Sequence, residues 1–146
     1  MLEILKTAGS ALTAQRLRMD VIASNLANAE ATSTPEGGPY KRERVVFEPA
    51  LRNTMSKLGD AASSIASGAE TGGVVVSAIV KDNEDPRMVL DPTHPDADAD
   101  GFVAYPNIDL VTEMTDMLSA SRSYEANITI VNVAKSMAQR ALDIGR

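Results

Sequence analysis

A chain of 146 residues with 20 acids, 14 bases and no cysteine is one domain's worth of polypeptide, with no route to disulfides or thiolate-held metals. Residues 82–100 hold seven acids against one base, which accounts for the whole net charge of −6 and leaves no basic face of the kind that neutralises nucleic-acid phosphates. Three Tyr, two Phe and no Trp supply little bulk for a compact core, so Ala, Met, Val and Leu carry the apolar load, which suits helices packed along seams.

The first element in chain order is helical. Leu5, Ala8, Leu12, Gln15, Met19, Ile22, Leu26 and Ala29 step by alternating threes and fours, a heptad seam interrupted only by Gln15. Gly9 weakens the first turns. Asn25 and Asn28 mark the approach to the helix end, and ATSTPEGGP stops it: Pro35 and Pro39 cannot continue a helix, while Gly37 and Gly38 release the backbone. Glu3, Lys6 and the polar residues up to Gln15 interrupt any apolar core of a cleaved secretory signal. The longest apolar run, VVVSAIV at 74–80, is far too short to cross a bilayer.

The period then changes. Tyr40–Pro49, Gly72–Val80, Arg87–Pro92 and Gly101–Pro106 are rich in β-formers and predict short strands. The KRER run at Lys41–Arg44 reads as a solvated strand edge. SKLGDAASSIASGAETG, 56–72, is small and polar without a period, a loose insertion with too little apolar surface to offset its ordering.

DADADGFVAYPN, 96–107, has aspartates at its first, third and fifth places and glycine at its sixth, as a calcium loop does. Its twelfth place is Asn107 in place of a bidentate glutamate, Pro106 precedes it, and no helix enters it. Turn chemistry explains more of these residues. Asp100-Gly101 is a turn pair with glycine at positive φ, and Asn107 is placed to cap the following helix. Asp109 and Glu113 set negative charge near the positive end of its dipole. His94, the only histidine, reads as a turn residue, with no second imidazole or thiolate to complete a zinc site.

From Ile108 the helical period returns. Leu110, Met114, Met117, Ser121, Tyr124, Ile128, Val131, Lys135, Ala138 and Leu142 keep register over 33 residues. A helix of this length runs ~50 Å, and the N-terminal helix ~40 Å, more stripe than a small β region can cover. The expected class is α+β: long N- and C-terminal helices pairing in a coiled-coil-like layer, antiparallel in one chain or against neighbours, with a small central β-rich domain. The expected boundaries are an N-terminal assembly helix at 1–30, a connector and β-rich domain at 31–106 with a mobile loop near 52–72, and a C-terminal assembly helix at 107–146. Packing of the apolar face supplies most helix stability, so the ends are expected to gain order on assembly. The candidate assembly residues are Leu5, Leu12, Met19, Ile22 and Leu26 on the first helix. On the last they are Leu110, Met114, Met117, Tyr124, Ile128, Val131, Ala138 and Leu142.

No enzyme motif stands out. A serine triad has only His94 to draw on and no G-x-S-x-G occurs. No P-loop or G-x-G-x-x-G is present, and the carboxylates of 82–100 lie in a Pro-rich stretch unsuited to a tuned general acid. The expectation is a protein without catalysis, cofactor or metal.

Two blocks, TAQRLRMDVIASNLANAEAT and DPTHPDADADGFVAYPNIDLVTEMTDMLSASRSYEANITIVNVAKSM, together about half the chain, resemble the bacterial flagellar basal-body rod proteins. The second, with HPDAD, DGFV, PN and SRSYEAN together, resembles the proximal-rod members in particular. Ser24 stands where many relatives carry Asn, the ATSTPEGGP connector is longer than the usual Thr-x-Gly link, and Arg52–Gly72 carries no motif that can be placed. The resemblance implies a structural subunit of the flagellar drive shaft in the periplasm, with terminal helices forming an inner layer and the β-rich part projecting outward. It implies partnership with copies of itself, with other rod proteins and with the base of the rod at the inner-membrane ring. It also implies unfolded export through the flagellar type III apparatus without a cleaved leader. Neither nucleic-acid binding nor membrane insertion is expected. The alternatives are a calcium-binding interaction module using the Asp96–Asn107 loop and a free-standing coiled-coil adaptor.

Overall fold

A computed structural model describes residues 2–51 and 71–144. In chain order the elements are α1 (Leu2–Ala27), β1 (Glu43–Leu51), β2 (Thr71–Lys81), β3 (Arg87–Leu90), β4 (Phe102–Tyr105) and α2 (Leu110–Ile144). All six fall where the change of period places them. The strands form two separate two-stranded antiparallel sheets, β1–β2 and β3–β4. The expected mobile loop near 52–72 lies outside the described residues, apart from Thr71 and Gly72, which already belong to β2.

The helices run antiparallel. Asn25, near the end of α1, bonds Glu113 in the first turns of α2, and Arg18, two turns earlier in α1, meets Asp116. α1 is a shared wall, packed against α2 and also against both strands of the β1–β2 hairpin. Its seam residues Ala8 and Ile22 are buried, as is Ala29 in the turn that follows, and a second side carrying Ala14, Val21 and Asn25 is buried as well. Two buried sides on one helix require small residues on each, which is where the alanines fall. Gln15, the polar intruder in the seam, has its side-chain oxygen buried with no partner among the described residues.

The hairpin meets α1 through a glycine. Gly73 has φ +122°, and a Cβ there would collide with the Ser10 hydroxyl of α1. The Val74 N–H donates to that hydroxyl oxygen at 3.1 Å. A bulge between Ala78 and Val76 of β2 skips Ser77 and keeps Phe47 and Val76 on the same face as Val45 and Ile79. At the connector, Gly37 and Gly38 adopt φ +88° and +77°, the release expected of that pair.

The start of α2 differs from expectation. Asn107 does not cap it: its amide donates to Glu84 at 2.9 Å. The cap is Asp109, whose carboxylate accepts the Val111 N–H at 3.1 Å and the Thr112 hydroxyl at 2.7 Å. The helix begins at Leu110, three residues later than Asn107, which places Asp109 directly before its free N–H groups. The Thr112 hydroxyl first, and the Val111 N–H second, hold the Asp109 carboxyl below its usual range. A depressed folded-state pKa gives a stabilisation present above the unfolded value and lost as pH falls through the folded one. Asp109→Asn, which keeps an acceptor without the charge, is therefore expected to flatten the acid limb of stability, read from thermal melts taken from neutral pH downward.

Candidate assembly surfaces

The α1 seam is met largely within the chain. Ile22 is buried, and Leu5, Leu12, Met19 and Leu26 are half-buried. On α2 the expected stripe splits. Met117, Tyr124, Val131 and Ala138 are half-buried, but their companions on the inner face are Glu113, Ala120, Asn127 and Ala134, one residue before each expected partner. Leu110 and Met114 stay outside, 48% and 59% exposed, as do Ile128 and Leu142 at 39% and 73%. Two alanines and a buried glutamate let α1 approach closely, where Met114 and Ile128 would hold it off. The bulky apolar residues are thereby left on the outer surface of α2. Val111, Leu118, Ile130, Val133 and Met137 join them.

Where α1 ends and α2 begins, a buried polar hub joins three elements. Asn25 is 1% exposed. Its amide donates to the Glu43 carbonyl at 2.8 Å and to Glu113 Oε2 at 3.2 Å, while its oxygen accepts the Glu43 N–H at 2.9 Å and the Tyr40 hydroxyl at 3.2 Å. It therefore acts like an added strand residue against the start of β1. Glu113, also 1% exposed, accepts Arg42 Nε at 2.6 Å and a second guanidinium nitrogen. Asp116 lies within 3.8 Å of Arg42 and 3.2 Å of Arg18.

Sequence reasoning missed this cluster. Asn25 stands at the helix end and Glu113 in the first turn of α2, as expected, but both are also buried, and Arg42 is half-buried against Glu113 where a solvated edge is expected. Their separation in sequence, 25, 42 and 113, hides the association. The one available signal was a glutamate at the heptad position preceding Met117.

Comparison with known proteins gives the family of the chain. The family described as "Flagella basal body rod protein" matches residues 5–33, and that described as "Flagellar basal body rod FlgEFG protein C-terminal" matches 99–144. Over nearly the whole chain, similarity extends to flagellar basal-body rod proteins FlgC. That of Borreliella burgdorferi is 45% identical over 96% of this chain and 94% of its own length. That of Bacillus subtilis is 45% identical over 97% and 96%, and that of Salmonella typhimurium 43% over 100% and 98%. The chain belongs to the FlgC family of flagellar basal-body rod proteins.

The two matched regions of this FlgC-family chain correspond to α1 with its connector and to β4 with α2. The hub residues Asn25 and Glu113 bring those two regions together. The Ser24 hydroxyl lies 3.4 Å from that of Tyr40, at the edge of the same hub.

In this FlgC relative the calcium-like aspartates have other uses. Asp98 accepts the N–H groups of Asp100 and Phe102 at 3.0 and 2.9 Å, and Asp96 takes the Thr32 hydroxyl at 2.7 Å. Gly101 has φ +80°, as the turn reading requires. His94 accepts the Asp96 N–H through Nδ1 at 3.1 Å. The Thr93 hydroxyl, with the Thr93 N–H, lowers the Asp91 carboxyl. The Thr32 bond ties the turn to the connector and the others hold the turn itself, and among the described residues no metal-ligating group of three or more side chains gathers there.

Proposed function

We propose that this chain is a structural subunit of the flagellar basal-body rod that polymerises through its two terminal helices, passing torque along the shaft. The observation that carries the reading is the outer surface of α2. A 35-residue helix turns alanines toward its partner and leaves Leu110, Val111, Met114, Leu118 and Ile128 to solvent. Apolar side chains spread along an element ~50 Å long favour burial against neighbouring subunits.

In this reading neighbouring subunits complete the coiled-coil-like layer, with Leu5, Leu12, Met19, Ile22 and Leu26 of α1 and Leu110, Met114, Met117, Tyr124, Ile128, Val131, Ala138 and Leu142 of α2 as its assembly residues. The protein works in the periplasm among copies of itself and other rod subunits, with the inner-membrane ring at the rod's base. It travels there through the flagellar type III apparatus. A chain without cysteine is free of cross-links that would block threading in an unfolded state. The role is structural, not catalytic.

Ile128→Asp tests the reading because Ile128 is 39% exposed in the isolated chain. The variant is expected to keep the helical circular dichroism of the parent chain. It should fail to enter the rod, since a carboxylate buried there without a partner costs several kcal/mol. Motile cells with normal basal bodies would overturn the assignment of this surface.

A further inference from the structure

The β3–β4 hairpin carries an apolar face that its own chain leaves open. Leu90 pairs with Phe102 and Met88 with Ala104. Directly opposed residues share a face and alternate residues return to it, so Met88, Leu90, Phe102 and Ala104 point the same way. Met88, Leu90 and Phe102 are 52%, 62% and 39% exposed, whereas Val103 on the opposite face is fully buried. The surroundings are acidic. Asp91 follows Leu90, Asp100 lies just before Phe102, and among the described residues no carboxylate from Glu84 to Asp100 forms an ion pair.

The second half of α2 offers a matching apolar stripe that ends in a base. Ile130, Val133, Met137 and Arg140 step by three, four and three along one side of the helix, and the three apolar members are exposed. Between Glu125 and Asp143 there are two bases, Lys135 and Arg140, and no acid. Neither base is ion-paired among the described residues. The two surfaces cannot meet within one molecule. The hairpin leads directly into the start of α2, and the stripe begins ~30 Å farther along that rigid helix.

We propose that the Ile130–Arg140 stripe of one copy docks on the Met88–Leu90–Phe102 face of a second copy, with Arg140 against Asp91 and Asp100. Such a contact joins different surfaces of identical subunits, so it is heterologous and propagates into a filament instead of closing as a symmetric dimer. This deepens the rod reading and rests on it, by naming which surfaces meet along the polymer.

The cysteine-free chain permits a direct test. Leu90→Cys and Met137→Cys place thiols at positions 62% and 60% exposed, where the monomer fold tolerates them. Mixing the two single variants under mild oxidation is expected to give disulfide-linked dimers well above the yield of either alone, and the double variant should give a ladder of oligomers. Adding Arg140→Glu to the Met137→Cys chain should cut the mixed yield about fivefold, the scale of one lost rim ion pair, and Asp91→Lys on the Leu90→Cys partner should restore it. Equal self-linking by either single variant, or no enrichment on mixing, overturns the contact.

The same double variant separates this inference from the rod reading. Cells that swim on it, yet whose isolated basal bodies contain no linked copies, overturn this contact alone. Absence of the unmodified chain from basal bodies overturns the rod reading itself.

Discussion

Arg42→Ala is expected to destabilise the isolated chain by about 3 kcal/mol, toward the low end for breaking a buried ion pair because the guanidinium is partly solvated. Glu113 is 1% exposed and receives Arg42 Nε at 2.6 Å. Without Arg42 its remaining partner is the Asn25 amide at 3.2 Å, and a carboxylate held by one neutral donor in the interior is poorly compensated. Of a typical domain stability of ~5–15 kcal/mol, this is a large share. Urea unfolding followed by circular dichroism measures it. Glu113→Gln in the Arg42→Ala background should recover much of the loss, because a neutral amide keeps a hydrogen bond to Asn25 without a buried charge. A loss below ~1 kcal/mol, the scale of a surface ion pair, would show that the hub does not hold the helices together.

Gly73→Val is expected to cost about 3 kcal/mol, from backbone strain and overpacking together. The backbone at φ +122° disfavours any side chain, and the new Cβ would press on the Ser10 side chain with the Thr7 Cα just behind it at 3.6 Å. α1 would have to move away from β2, and the Val74 N–H would lose its bond to the Ser10 hydroxyl. The two contributions separate experimentally. Ser10→Gly should relieve the collision in Gly73→Ala but leave the strain of positive φ, so only part of the stability should return. Full recovery would mean that packing alone explains the glycine.

Where sequence reasoning succeeded, the signal was local. The end of α1 falls at Ala27 between Asn25 and Asn28, which mark it in the sequence, and the strands follow from short β-rich runs between turn residues. Gly101 was legible because Asp-Gly pairs favour a turn with positive φ. The α1 seam was legible because its heptad steps are apolar at every place but Gln15. The inner face of α2 was not, because two regular stripes lie one residue apart on the same helix. Bulk alone selects the stripe with Met114 and Ile128, whereas close packing selects the one with Ala120 and Ala134. The polar hub was least legible of all, since Asn25, Arg42 and Glu113 each have an ordinary role in their own segment.

By itself, then, the sequence determined the kinds and order of the elements, the family, and the presence of more apolar helix surface than a small body can cover. These follow from periodicity and turn chemistry, which act over a few residues. Only the tertiary structure decided which α2 stripe faces α1, which carboxylate is buried, and which apolar side chains remain outside. Those outcomes depend on how closely two helices can approach and on whether a buried charge finds a partner across 71 positions of chain, and neither condition leaves a mark on any single segment.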